Sequence, residues 1–155
     1  MLIHEMTAVE CHAVLQEVNF ARLACVRGSQ PYIVPVYIAY DGQHLYGITT
    51  RGQKIEWMRS NPLICLEVDE RPSHDHWMSI VVFGRYEELP DAPEYASARA
   101  RALEILEKRT MWWEPACVPP ERQERRTPIF YRIHIDGVTG RRAKPGATEA
   151  AVDGS

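Results

Sequence analysis

PYIVPVYIAYDGQHLYGITTRGQKIEWMRSNP, residues 31–62, decides the fold. Two runs rich in β-branched and aromatic residues, Tyr32 to Tyr40 and His44 to Thr50, flank an Asp41-Gly42 turn pair. A short helix pattern from Lys54 follows and stops at Asn61-Pro62, because the residue before a proline avoids helical backbone. Pro35, in the middle of the first run, cannot donate to a ladder, so it marks an edge position or a bulge where backbone groups are open to something other than protein. The second run ends in Thr49 and Thr50, then Arg51-Gly52-Gln53-Lys54. Hydroxyls, a glycine that permits close backbone approach and a lysine opening a helix are what a phosphate monoester needs. The same residues also read as a polar strand exit with a solvated first-turn lysine, and no motif of fixed spacing decides between the two.

Outward from this stretch, the 155 residues are expected to form one domain over 1–143, with a small polar tail, 144–155, expected to be disordered. The composition is 45% apolar and 25% charged, and a net charge of −3 leaves no electrostatic footprint for nucleic acid or acidic membranes. Cys11, Cys25, Cys65 and Cys117 form no CxxC pair, and no signal-peptide pattern precedes them, so reduced thiols in a cytoplasmic protein are expected. Cys25 and Cys65 read as small core residues. No apolar run approaches the roughly 18 residues of a membrane span.

Thr7-Ala8-Val9-Glu10 is a capping box opening a helix to about Val18, with Val9, Ala13, Val14 and Val18 on its apolar face. Phe20 to Val26 reads as a strand. Leu63 to Asp69 reads as a nearly continuous apolar strand, and His76 to Leu89 as a long strand whose Gly84 suggests a bulge or bend. Asp91 to about Thr110 patterns as a helix touching the core through Ala98, Ala102, Leu103 and Leu106. Met111 to Thr127, rich in proline, reads as an extended excursion, and Ile129 to Ile135 as the last strand. Six strands with short connections and only three helices predict a small antiparallel barrel with helices packed outside.

Five segments in this order, PYIVPVYIAYDG, LYGITTRGQKIEWMRSNPLICLEVD, WMSIVVFGRYEEL, WWEPA and IFYRIHIDGVTGRRA, resemble the pyridoxamine 5′-phosphate oxidase-like flavin-binding split barrels, in particular small members related to nitroimidazole-resistance proteins. The resemblance covers about residues 5 to 143. It implies a mainly β fold, a six-stranded split barrel that forms a homodimer and holds FMN in clefts across the subunit interface. Carried over by position, Pro35, Val36 and Tyr37 would present backbone to the isoalloxazine edge. Ile48 belongs with the cofactor-facing set, and Thr49, Thr50, Gln53 and Lys54 would hold the phosphate. Trp77, Ser79 and Val81, matching a W-x-S-x-V-type strand, would come from the other subunit. Ile48 stands where the nitroimidazole-resistance relatives carry a histidine, so their nitro-reducing chemistry is not implied; nor is vitamin B6 oxidation, whose basic substrate-binding residues toward the C-terminus have no match here.

Among single residues, His74 and His76 form an HxH with no third ligand at metal-site spacing. Trp112 and Trp113 are candidates for the flavin cleft or for packing, and Arg141 and Arg142 for an anionic ligand or a solvated pair. No Ser-His-Asp or Cys-His arrangement can be assembled, which is consistent with a flavoenzyme, because the flavin carries the reaction. The resulting expectation is an FMN-dependent oxidoreductase acting on a small molecule with a nicotinamide as electron donor. The alternatives are a flavin-binding or storage module without turnover, and a barrel holding deazaflavin or haem.

Overall fold

The computed structural model of the chain describes residues 1–109 and 127–146. Its strands are β1 (Leu2–Glu5), β2 (Phe20–Arg27), β3 (Gln30–Tyr37), β4 (Ala39–Tyr40), β5 (His44–Thr49), β6 (Leu63–Glu70), β7 (Trp77–Glu88) and β8 (Ile129–Lys144). The helices are α1 (Ala8–Glu17), α2 (Gln53–Ser60) and α3 (Ala96–Leu106). Every strand pairing is antiparallel, in the order β3-β2-β6-β7-β8-β5-β4, and β1 adds to β8.

β3 and β4 are two pieces of one chain run interrupted at Ile38. β3 pairs with β2 at one end of the strand order and β4 with β5 at the other, so the curled sheet closes on itself through that interruption. The fold is therefore a mainly β split barrel with peripheral helices, as expected, although with eight strand segments among the described residues rather than six. The difference has two sources. Ile38 divides the expected strand Tyr32 to Tyr40, and Leu2–Glu5, which carries no turn signal, pairs with Arg141–Lys144 at the far end of β8.

Several local expectations meet the structure. Thr7 caps α1, accepting from Glu10 N at 3.2 Å. Pro35 lies on β3, which pairs with β2 alone, so the proline's missing N–H costs no ladder bond on the open side. A bulge does occur at Gly84, but the extra residue is Asp136 on β8: Phe83 pairs with Gly137 and Gly84 with Ile135. Other details differ. Lys144 ends β8 rather than opening a tail. The buried face of α1 is Cys11 and Leu15, whereas Val9 is 80% exposed. The helix expected from Asp91 is delayed, since Ala92 is held extended before Pro93 and a single 3₁₀ turn, Pro93–Tyr95, precedes α3. On α3, Ile105 is buried in place of the expected Leu103. The expected excursion through residue 126, with Trp112, Trp113 and Cys117, and the tail beyond residue 146 lie outside the described residues.

Inside the barrel, alternate residues of each strand meet: Leu23, Leu66, Ile80, Val82, Tyr131 and Ile133 are at most 1% exposed. Ile55 and Met58 of α2 and Cys11 and Leu15 of α1 join this cluster. Each fully buried aliphatic side chain contributes about 1.5 to 3 kcal/mol. Outside the barrel wall, α3 packs Ala102, Ile105 and Leu106 on Ala39, Tyr46, Ile48 and Leu89. The hairpin turn is built by Asp41, whose Oδ1 accepts from the N–H groups of Gln43 and His44 at 2.8 and 2.7 Å, while Gly42 takes the positive φ of 97°.

Gly47 leaves room for the ring of fully buried Tyr131: a Cβ there would lie 2.3 Å from Tyr131 Cζ. Gly47→Ala is expected to lose about 1 to 3 kcal/mol by overpacking, read as a lower urea midpoint at unchanged slope. Burial raises the Asp41 carboxyl's pKa, but the His44 and Gln43 amides, Arg101 and Tyr46 outweigh it and hold the carboxyl below its ordinary range. Its contribution is therefore present above the unfolded value of about 4 and is lost as pH falls through the lower folded value. In Asp41→Asn, the acid limb of a stability-versus-pH curve is expected to be shallower than in wild type.

Candidate functional site

The end of β5 delivers Thr49 to the start of α2. Thr49 is 6% exposed, and its Oγ1 accepts from Lys54 Nζ at 2.8 Å and donates to the Thr50 carbonyl at 3.4 Å. Gly52 caps α2 without a side-chain hydrogen bond, so the first amides of the helix are left to other acceptors. Lys54 is half-buried. Burial pulls the pKa of its ammonium down, with only the Cys25 thiol acting in the opposite direction, and among the described residues no carboxylate pairs with it. A desolvated ammonium held by one neutral hydroxyl, beside a helix start without a side-chain cap, has the chemistry of an anion seat. Thr50 is half-buried and Gln53 exposed at its edge, whereas Arg51 is engaged by Glu56 at 2.7 Å. Ile48 points the other way, buried under α3.

On β3, Pro35 and Tyr37 face outward and Val36 faces the core at 6% exposure. Tyr37 packs edge-on against Phe20, its partner across the ladder, with centroids 5.5 Å apart. On β7, alternation turns Trp77, Ser79 and Val81 outward, opposite Ala143, Arg141 and Thr139 of β8. A groove of about 630 Å³ runs along them, lined by all three together with Thr139 and Arg141.

Register places the two sets on one outer face but apart. Pro35, Arg22, Glu67 and Val81 are successive partners across β3, β2, β6 and β7, so Pro35 and Val81 are three strand spacings, roughly 14 Å, apart. One chain does not bring the Trp77 set onto the Pro35 set. Between them Arg22 Nη1 contacts Glu67 at 3.3 Å and Asp69 at 2.8 Å, and Ser79 Oγ reaches Glu67 at 3.4 Å. Around this polar spine the same face exposes Phe20 (41%), Ile33 (61%), Leu63 (62%) and Phe83 (51%). Arg22, Glu67 and Asp69 escaped sequence reading: their outward alternation was visible, but only strand register makes them neighbours.

A split barrel with a half-buried lysine at a strand-to-helix junction and an outward groove on its longest ladder defines a recognisable class. Residues 7–142 match the family described as pyridoxamine 5′-phosphate oxidase, and the chain belongs to that family. An uncharacterised protein of Rhizobium meliloti (strain 1021) is 43% identical over 94% of this chain and 99% of its own. A crystal structure of a FAD-binding protein from Mesorhizobium loti is likewise 43% identical, with a TM-score of 0.75 over 94% of this chain and 99% of that one. A protein from Bacteroides thetaiotaomicron described as a candidate 5-nitroimidazole antibiotic resistance protein shares the fold at 16% identity, with a TM-score of 0.64 over 94% and 93% of the two chains.

Desolvation of an unpaired ammonium opposes folding of the ligand-free protein. Lys54→Met keeps the aliphatic stem and removes the charge, so the ligand-free variant is expected to melt at or above the wild-type temperature in differential scanning calorimetry at pH 7. A lower midpoint would show that the Lys54–Thr49 hydrogen bond holds the barrel end together.

Proposed function

We propose that this protein is a homodimeric FMN-binding oxidoreductase that passes a hydride or electron pair from a nicotinamide to a small-molecule acceptor. The observation that carries the reading is Lys54, a half-buried cation held by the Thr49 hydroxyl at the start of α2 with no acidic partner among the described residues. A phosphate monoester supplies the missing charge and accepts from the helix amides as well. Pro35 and Tyr37, on the open edge of β3, lie on the strand that continues into the same hairpin, where backbone groups can meet a planar ring. The flavin supplies the hydride chemistry when bound; the chain's own residues bind it, orient it and exclude water.

The separation of the two sets supports the dimer. A partner related by a two-fold axis would lay its Trp77, Ser79 and Val81 over the Pro35 and Lys54 set and cover the exposed Phe20, Ile33, Leu63 and Phe83. A second reading of the cofactor is FAD. It is favoured by the Mesorhizobium loti relative, described as FAD-binding, and by Arg141, which lines the Trp77 groove and pairs with no acid among the described residues. FMN and FAD share the ring and the first phosphate, so Lys54 has the same role in both.

Titration of FMN, FAD and riboflavin into the flavin-free protein tests the site. Lys54→Met is expected to weaken FMN about 10- to 100-fold, the scale of a lost charge-assisted contact of about 1.5 to 3 kcal/mol, while riboflavin is unaffected. An unchanged FMN constant in the folded variant would overturn the phosphate assignment, and tighter binding of FAD than of FMN would select the second reading. Anaerobic bleaching of bound flavin by a reduced nicotinamide tests the oxidoreductase role; flavin that stays oxidised would leave a binding module.

Light scattering at micromolar concentration is expected to return twice the chain mass of 17.8 kDa. An interface of more than roughly 2,000 Å² is expected. Phe83→Glu, on the exposed face, should yield a monomer that has also lost flavin affinity.

A further inference from the structure

A second cation lacks an acid among the described residues, far from Lys54 in the sequence. Between the end of α1, β4 and α3 lies a cleft of about 520 Å³, within the range of small-molecule sites, whose lining includes Asn19, Ile38, Asp41, Arg101, Lys108 and Arg109. Arg101 is committed to Asp41 at 3.3 Å and to Glu104 at 3.2 Å. Asp41 in turn is occupied by the turn amides of Gln43 and His44. What remains is Lys108 and Arg109 against Glu17 at the rim, an excess of positive charge.

Arg109 is unusual in its hydrogen bonding. Among the described residues its guanidinium donates only from Nη1, to the carbonyls of Ile38 at 2.8 Å and Asn19 at 3.5 Å, and its plane lies over the Tyr37 ring at 5.8 Å. Nε is buried and has no hydrogen-bond partner among the described residues. The Nε and Nη2 edge is the side of a guanidinium that receives a carboxylate or phosphate through two parallel bonds, and here it is the edge left over. A buried donor left without a partner is unfavourable, so an anion that satisfied it would bind with more than surface strength.

We propose that this cleft is a binding site for a small organic carboxylate or phosphate, with the Nε and Nη2 edge of Arg109 as its anchor and Lys108 as the second charge. The cleft borders the flavin set, since Arg109 lies over Tyr37, but it makes no use of Lys54 and stands without the flavin reading. Its recognition chemistry is two or more anionic oxygens on a molecule small enough for the cleft; the carboxylate and phosphate sources are separated by the probes.

The test is calorimetric titration of the full-length protein with succinate and, separately, inorganic phosphate, at ionic strength fixed with chloride. Amide resonances of Asn19 and Ile105 locate the binding. Saturable binding of at least one probe is expected, with those resonances shifting. Arg109→Lys retains charge but loses the two-donor edge and should weaken binding at least 10-fold; Lys108→Gln, at an exposed position, should weaken it 2- to 5-fold. Because Arg109 also holds the Ile38 carbonyl, the Lys108 variant keeps the test decisive if Arg109→Lys is poorly folded. Phosphate could also occupy the Lys54 seat, so the titrations are repeated in Lys54→Met, where binding at this cleft should persist. Absence of saturable binding for both probes, binding unaffected by Arg109→Lys and Lys108→Gln, or binding abolished by Lys54→Met would each overturn the proposal.

Discussion

Closure of the barrel depends on how one residue's backbone is satisfied. At Ile38 the chain leaves the ladder with β2 before it joins the ladder with β5, so its peptide groups belong to neither. The N–H donates to the Asn19 carbonyl at 3.0 Å, the carbonyl accepts from Arg109 at 2.8 Å, and the side chain is 1% exposed in the core. Unpaired backbone in so buried a place would cost as much as a lost hydrogen bond for each group. Partners from α1's exit and α3's end allow the strand to change neighbours, and the change of neighbours makes a barrel of an open sheet.

The cations of this protein divide according to what opposes them. Arg22, Arg59, Arg85 and Arg101 face carboxylates, as surface and half-buried guanidinium groups ordinarily do. Lys54 and Arg109 face a hydroxyl and backbone carbonyls instead. Buried Asp41, with four donors around it, shows that the fold can satisfy a charged group when its role is structural. At these two cations the described residues leave a charge without an opposing carboxylate, which is why an anion is proposed at both.

Much of this was legible in the sequence where a single residue has a single physical consequence. Pro35 lacks a donor and so lies on an open edge; Thr7 accepts an amide and so caps α1; Asp41-Gly42 admits few conformations other than a tight turn. Legibility ended where the consequence depends on a distant partner. Nothing in LIHE announces that it pairs with Arg141–Lys144, and Val9 has the right spacing for an apolar face but lies on the wrong side of α1. Gly47 reads as an ordinary strand glycine until Tyr131 occupies the space of its Cβ. Within the candidate site, the hydroxyls and lysine were visible as a phosphate-like set. That Thr49 rather than Thr50 holds Lys54, and that Trp77 lies three strands from Pro35, is fixed only by the register of the whole sheet.

β8 alone pairs with β1 at its end, with β5 at its beginning and with β7 along nearly all its length. Its partners begin at residue 2 and it ends at residue 144, so the decisive pairings span almost the whole chain. During synthesis β7 and β5 would each present an unzipped edge until β8 leaves the ribosome, and closing such distant pairs is slow. The nascent chain must therefore hold its sticky edges apart until β8 zips them together, which makes the emergence of Ile129–Lys144 the timer of the barrel's assembly.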